Sequence, residues 1–254
     1  MEIIFVGTGS GKTSLKRFHS SLLVKDKNIL IDTGDGVSRA LLQHNISLNS
    51  IESIILTHYH ADHYTGIASL ITQMKLIGRD SLLKIFTHKD LVGLLNDLLN
   101  SVQMFSENTG FELQLHGFNF DEKYFITGDT YFIARKNSHI YPKEFLKAYP
   151  RELFTSSSLF IESANKRIVY TSDIGSGDDL YLFKDYQVDS FITETTHIKL
   201  NEILTFIDNS HPKKVMLTHV SDDDETELAK WHNSLPPQYK NIIQICYDGL
   251  EIRD

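Results

Sequence analysis

The sequence predicts one α/β domain over residues 1–254, with two mixed β-sheets sandwiched between helical layers. Three observations predict it. Short β-rich runs alternate with amphipathic helical stretches. The chain falls into two β-rich halves, each followed by helices. No low-complexity tract, fixed-period repeat or Pro/Gly/Ser-rich linker interrupts the 254 residues. At this length a fold buries roughly 70–75% of the surface its unfolded chain exposes, so the core needs no disulfides.

The first half opens with strand candidates at 2–6, 20–25, 28–32 and 54–56. Each is short, rich in β-branched or aromatic residues, and bounded by Gly, Asp or Asn. A helix is predicted over 36–44. A second over about 64–76 places Ile67, Leu70, Ile71 and Met74 on one face, and a third, leucine-rich, covers 90–104. The middle is β-like: 112–115, 124–126, 130–135, 158–162 and 167–171. The last two read as a hairpin turned by Ser163-Ala164-Asn165-Lys166. Strand 189–193, helix 199–209, strand 214–218, helix 223–234 and strand 242–246 complete the chain. Asp222-Asp223-Asp224-Glu225 is the densest charge run. It reads as an acidic first helical turn that complements the helix dipole.

Composition excludes several classes. There are 25 Lys and Arg against 33 Asp and Glu, a formal net charge of −8. This argues against non-specific binding to polyanions or anionic membranes. Cys246 is the one cysteine, so no disulfide forms within the chain. No apolar run approaches about 18 residues, so no membrane span is expected. Met1-Glu2-Ile3-Ile4-Phe5-Val6 carries no basic leader and reads as a first strand, so a cytoplasmic location is expected.

Gly7-Thr8-Gly9-Ser10-Gly11-Lys12-Thr13 resembles a nucleotide P-loop but fails its spacing, because Val6 stands where the leading glycine belongs. Position 12 is Lys, so the dinucleotide fingerprint fails too. The segment reads as a flexible glycine turn between strands. A further reading is that it borders an active site and offers backbone N–H groups or Lys12 to an anion.

The informative segment is His58-Tyr59-His60-Ala61-Asp62-His63, directly after the apolar run 54–56. Residues 58 and 60 of an extended chain point to one side. As the chain turns into a helix, Asp62 and His63 face a second nearby point, so one strand end can serve two metals. Imidazole and carboxylate donors suit zinc, manganese or iron. A structural zinc site would draw on cysteines, so an open catalytic site is favoured. Further polar residues end apolar strands. Asp32 follows Ile29-Leu30-Ile31, where it can hydrogen-bond and orient a ligand. Asp173 follows the run 168–172, His219 follows 215–218, and His139 follows 132–138. Ligands at strand ends converge on one rim of a sheet stack.

With these motifs in this order, the sequence resembles the metallo-β-lactamase superfamily over nearly its whole length. Within it, the chain is most similar to ribonuclease Z and related phosphodiesterases. The resemblance is carried by Gly7-Thr8-Gly9-Ser10, Ser20-Ser21-Leu22-Leu23, Asp32-Thr33-Gly34-Asp35-Gly36, the histidine motif and Leu217-Thr218-His219-Val220-Ser221. It implies an αββα sandwich and two divalent metal ions, zinc first and manganese or iron as alternatives. It implies His58, His60 and His139 as ligands of one metal, with Asp62, His63 and His219 as ligands of the other. Asp173 is implied as the bridging carboxylate. His116 is a rival to His139.

Two features depart from ribonuclease Z. Its tRNA-gripping arm lies between the third histidine and the bridging aspartate, and His139 to Asp173 spans too few positions for one. Its His-Glu-Ala-Thr element reads Thr193-Glu194-Thr195-Thr196-His197 here.

The expected function is hydrolysis of a small or cyclic phosphodiester, or of an RNA end, by hydroxide that bridges the metals. Asp62 or Asp173 would accept a proton and His197 would donate one to the leaving group. The alternative is hydrolysis of a thioester, lactone or sulfate ester on the same centre. An oxygen- or nitric-oxide-reducing di-iron role is disfavoured because His60 stands where that branch typically carries glutamate. Residues 140–151 are a candidate cap, with Tyr141, Lys143, Tyr149 and Arg151 available to substrate. The expected partner is the substrate alone, with no membrane, and a homodimer is an assembly common in this branch.

Overall fold

The computed structural model describes residues 1–254 except Pro142, Phe145, Leu146, Pro150 and Asp254, and except the side chains of Arg151 and Glu152. Its first sheet holds β1 (Glu2–Gly7), β2 (Ser21–Val24), β3 (Ile29–Ile31), β4 (Ser53–Ile55), β5 (Leu83–His88) and β6 (Leu113–Phe118). The second holds β7 (Lys123–Thr127), β8 (Thr130–Lys136), β9 (Ser157–Ser163), β10 (Lys166–Tyr170), β11 (Ser190–Glu194), β12 (Lys214–Thr218) and β13 (Ile243–Ile245). The last strand, β14 (Glu251–Arg253), returns to the first sheet beside β1.

The strand orders are β14-β1-β2-β3-β4-β5-β6 and β13-β12-β11-β10-β9-β8-β7. β14 through β3 pair antiparallel, and β3 through β6 pair parallel. The second sheet repeats this plan: β7 through β10 antiparallel, β10 through β13 parallel. Each parallel step between β3 and β5 and between β10 and β13 returns through a helical or irregular crossover. The carboxyl ends of those strands therefore open on one rim, where α/β sheets place their ligands.

Side-chain alternation builds the layers. Ile3 and Phe5 of β1, Ile29 and Ile31 of β3, Ile168 and Tyr170 of β10 and Met216 of β12 fill the space between the sheets. Their neighbours Ile4, Val6 and Leu30 face a helical layer of α1 (Val37–Gln43), α3 (Gly66–Leu76) and α4 (Val92–Ser101). Val169, Val215 and Leu217 face a second layer, formed by α5 (Leu200–Ser210) and α6 (Glu225–Ser234). The expected stripe of α3 is the buried one: Ile67, Leu70, Ile71 and Met74 are each fully buried. Each such side chain stabilises the fold by about 1.5–3 kcal/mol. Two short helices, α2 (Ala61–Tyr64) and α7 (Pro237–Lys240), complete the set.

The predicted helix at 90–104 is shorter. A 3-10 turn at Lys89–Leu91 precedes α4, and the helix stops at Ser101. The strand expected at 112–115 runs on to Phe118, because β5 pairs with it along its full length. The acidic run is not the first turn of a helix. Asp222, Asp223 and Asp224 precede α6, and only Glu225 belongs to it. The cap expected at 140–151 lies partly outside the described residues. Within it, Tyr141 and Tyr149 are exposed.

Candidate metal centre

Six strand ends meet at the rim. Asp32 follows β3, the segment Thr57–His63 follows β4, His139 follows β8, Asp173 follows β10, Glu194 ends β11 and His219 follows β12. The chain must turn sharply after these strands. Asp32, Ser172 and His219 do so at φ of 58°, 54° and 54°, the left-handed region that non-glycine residues seldom adopt. Gly34 is required by close approach. A Cβ there would lie 2.3 Å from the Asp62 carbonyl oxygen, so the turn after Asp32 packs flat against the histidine segment.

Two groups of donors result. Ligand atoms of His58, His60, His139 and Asp173 lie within 4.8 Å of one another, as do those of Asp62, His63, Asp173 and His219. Asp173 belongs to both. His139 Nε2 lies 3.0 Å from His60 Nδ1 and 3.6 Å from Asp173 Oδ2. His219 Nε2 lies 3.2 Å from Asp62 Oδ2 and 3.3 Å from Asp173 Oδ2. His63 Nε2 lies 3.2 Å from Asp173 Oδ1. His116 sits elsewhere, on β6 beside Phe86 and Gln114.

Asp32, Thr57, Tyr170 and Ser172, which support this cluster, are themselves buried, whereas Thr196 is exposed. Asp32 accepts hydrogen bonds from Thr57 N at 2.8 Å, from the Thr57 hydroxyl at 2.9 Å and from Tyr170 OH at 3.3 Å. Its Oδ2 lies 2.8 Å from His63 Nδ1, which fixes that ring with Nε2 toward the centre. The Thr57 hydroxyl also reaches His58 Nδ1 at 3.1 Å and the Ser172 hydroxyl at 2.8 Å. Thr196 donates to the His219 carbonyl at 2.6 Å and meets His219 Nδ1 at 3.1 Å.

Burial and charge set the protonation states. Burial pushes the imidazolium forms of His58 and His60 down, and takes His139 down to about 4. Such neutral rings are ready to donate a lone pair. Burial opposes ionisation of Asp173, but His219 and His63 outweigh it and hold the carboxyl well below its usual range. Burial likewise opposes ionisation of Asp62, and its hydrogen bonds to His219 and His63 reverse this. His63 moves up: burial works against its charge, and Asp173 and Asp32 outweigh the burial.

These residues fit divalent cations by a direct test. His58 Nε2, His63 Nε2 and Asp173 Oδ1 are buried without a hydrogen-bond partner. Leaving such atoms unsatisfied costs about 1–3 kcal/mol each, and a cation within their reach removes that penalty. The donors are imidazole and carboxylate only. The one thiol, Cys246, is buried between the sheets.

His197 stands beside this cluster, exposed, with Nδ1 2.9 Å from Glu194 Oε1 and 4.0 Å from Asp173 Oδ2. Glu194 was not singled out by sequence reasoning. It is 1% exposed and accepts backbone hydrogen bonds from Ile174 at 3.1 Å, Thr196 at 2.7 Å and His197 at 2.8 Å. The hydrogen bond to Glu194 raises the His197 pKa. The signal in the sequence was an acid at the end of an apolar strand, the feature that marked Asp32.

A cavity of about 300 Å³ opens over the cluster, lined by His60, Asp62, His139, Asp173, His197, His219 and the loop residues Ser10, Gly11 and Lys12 among others. A larger cavity of about 860 Å³ lies at the opposite ends of β10–β12, over Phe183, Phe191 and Phe206. Its Arg167 and Lys213 are already paired with Glu162 and Asp189. No orphaned buried polar atom among the described residues lines it. The donor cluster thus opens into the smaller cavity.

Known proteins resemble this chain to different extents. Ribonuclease Z of Aeropyrum pernix is 36% identical over 118 residues, 45% of this chain and 37% of that protein. The chain thus spans little more than a third of this curated relative. The crystal structure of human tRNase Z, short form, superposes with a TM-score of 0.73 at 18% identity, covering 100% of this chain and 99% of that one. YhfI of Bacillus subtilis, a metallo-β-lactamase fold protein, gives a TM-score of 0.73 at 19% identity over 99% and 98% of the two chains. The two-sheet architecture is therefore the metallo-β-lactamase fold. A family model described as "Anti-Pycsar protein Apyc1" matches residues 1–234, and the chain belongs to that family.

Proposed function

We propose that this chain is a binuclear-metal phosphodiesterase that acts on a small or cyclic phosphodiester or on an RNA end. The observation that carries the proposal is the pair of donor groups joined through Asp173, with the Glu194–His197 pair beside them. His58, His60 and His139 would hold one ion, and Asp62, His63 and His219 the other, with Asp173 shared. Zinc suits this donor set first, then manganese or iron. Two such ions, when bound, supply hydroxide near neutral pH and offset charge on the phosphoryl oxygens.

The chain's own residues supply the rest. Asp32 holds His63 in one orientation, and Thr196 does the same for His219. Against its burial, Asp62 stays a carboxylate through its hydrogen bonds to His219 and His63, which suits it to hold a cation and leaves it a weak base toward the attacking water. The hydrogen bond to Glu194 favours the His197 imidazolium, and His197 would donate a proton to the leaving oxygen. The net charge of −8 favours a small substrate or a strand end over a gripped RNA body. The single free thiol, buried, fits a reducing compartment and so the cytoplasm. No described helix is long and apolar enough to cross a membrane.

The test is hydrolysis of bis(p-nitrophenyl) phosphate by metal-loaded protein, with Asp62→Ala as control. Turnover that falls at least 100-fold in the variant supports the proposal. No turnover by wild-type protein with metals bound sinks it and turns the search to thioesters, lactones and sulfate esters.

A further inference from the structure

The glycine loop at the N-terminus is no P-loop, yet it does not idle on the surface. Ser10, Gly11 and Lys12 line the cavity over the donor cluster. The backbone passes so near that a Cβ on Gly11 would stand 3.4 Å from Asp62 Oδ2. The cavity wall also carries Asp62, Asp173 and Asp224, so a phosphodiester anion enters among carboxylates. Among the described lining residues other than histidine, Lys12 is the one cation.

The loop has a fixed root and a loose tip. At the root, Arg17 is 7% exposed and donates to the Thr8 hydroxyl at 2.6 Å, to the Cys246 carbonyl at 2.9 Å and to Glu225 at 2.9 Å. The Ser14 hydroxyl donates to Asp222 at 2.8 Å and accepts from the Lys16 and Arg17 amides. At the tip, Lys12 Nζ meets Asp223 Oδ2 at 2.5 Å, with the two side chains 74% and 71% exposed. So exposed a pair is screened by solvent and weak, so it exchanges partners readily. A lysine head on a flexible four-carbon stem is suited to that exchange. An anionic phosphoryl oxygen inside the cavity offers a charge-assisted hydrogen bond in place of a solvated one.

We propose that Lys12 is a substrate-binding residue of this centre, latched on Asp223 in the free protein and transferred to a phosphoryl oxygen when a phosphodiester enters the cavity. The proposal rests on the phosphodiesterase reading. It gives the acidic run a role that helix capping does not: Asp222 and Glu225 fix the loop's root, and Asp223 parks its tip.

The test uses the zinc-loaded full chain and bis(p-nitrophenyl) phosphate. Lys12→Ala raises KM about tenfold and changes kcat less than twofold, the mark of lost uniform binding. Lys12→Arg stays within threefold of wild type. Asp223→Asn, which frees the ammonium, lowers KM about threefold. Zinc content and melting temperature, read on every variant, match wild type. An unchanged KM in Lys12→Ala overturns the proposal, and so does an Asp223→Asn variant that weakens binding as Lys12→Ala does. Calorimetric binding of inorganic phosphate to the zinc-loaded protein separates this inference from the reading beneath it. Should wild type not hydrolyse the diester, a tenfold phosphate-affinity loss in Lys12→Ala still supports the clamp, and an unchanged affinity removes it.

Discussion

Three residues carry the tension of this site. Asp32, Ser172 and His219 hold left-handed backbone at the ends of β3, β10 and β12. Each such residue costs of order 1–3 kcal/mol, so the surrounding contacts must hold it there. Asp32 shows how: it is fully buried, and its carboxylate takes in Thr57, His63 and Tyr170. Asparagine tolerates the same backbone. Asp32→Asn should therefore fold, yet lose the charge that orients His63. We expect metal affinity to fall about 10–100-fold, read by competition with a chromophoric chelator. Affinity equal to wild type would show that Asp32 supports the fold and not the ligand. Cys246 gives a second prediction at this scale. Burial pushes its thiol up, away from the reactive thiolate. A thiol reagent at pH 8 should label the folded protein negligibly over an hour and label it fully in denaturant. Rapid labelling of folded protein would mean that the space between the sheets is open.

The N-terminal loop and the start of α6 act as one element pair. Arg17 joins Thr8, Cys246 and Glu225 across the chain, and its guanidinium runs from two buried partners, Thr8 and Cys246, to the partly exposed Glu225. Removing it leaves the Thr8 hydroxyl and the Cys246 carbonyl without this donor. Arg17→Ala should cost about 2 kcal/mol. In a domain of this size that lowers the melting temperature by roughly 4–8 °C. A shift below about 1 °C would show that the loop's root is held by something else.

The same pair shows what was legible beforehand. The acidic residues were visible as a run, but their partners are more than 200 positions away in sequence, so the helix-dipole reading was the local answer to a non-local arrangement. β14 was missed for the opposite reason: three residues, Glu251-Ile252-Arg253, are too few to display alternation. The long apolar stripe of α3 and the short buried strands before Asp32 and His58 were plain, because periodicity and strand-end polarity are local properties. The metal motif was plain because four donors lie within six residues. Glu194 was not, since its role depends on β11 lying between β10 and β12 and on a histidine three positions on. Left-handed turns at 32, 172 and 219 leave no mark in the sequence at all.

At the scale of the molecule, two sheets of matching plan place parallel strands side by side, and the rim collects donors from both. His58, His60, Asp62 and His63 come from the first sheet, and His139, Asp173 and His219 from the second. Metal bound there ties the sheets together and stabilises the folded chain by mass action. At a free zinc concentration of 100 times the dissociation constant, each site adds about 2.7 kcal/mol. Chelation should lower the melting temperature by several degrees, and zinc should restore it. A metal-free protein that melts at the same temperature as the loaded one would contradict a centre that spans both sheets.

The central claim is that two ions joined through Asp173 perform phosphodiester hydrolysis. Titration of zinc into metal-free protein, with hydrolysis of bis(p-nitrophenyl) phosphate followed at each addition, tests it most directly. The account predicts activity that reaches its plateau at two equivalents per chain in wild type, and activity at least 100-fold lower at every ratio in Asp173→Ala. A plateau at one equivalent, or an Asp173→Ala variant as active as wild type, would contradict it.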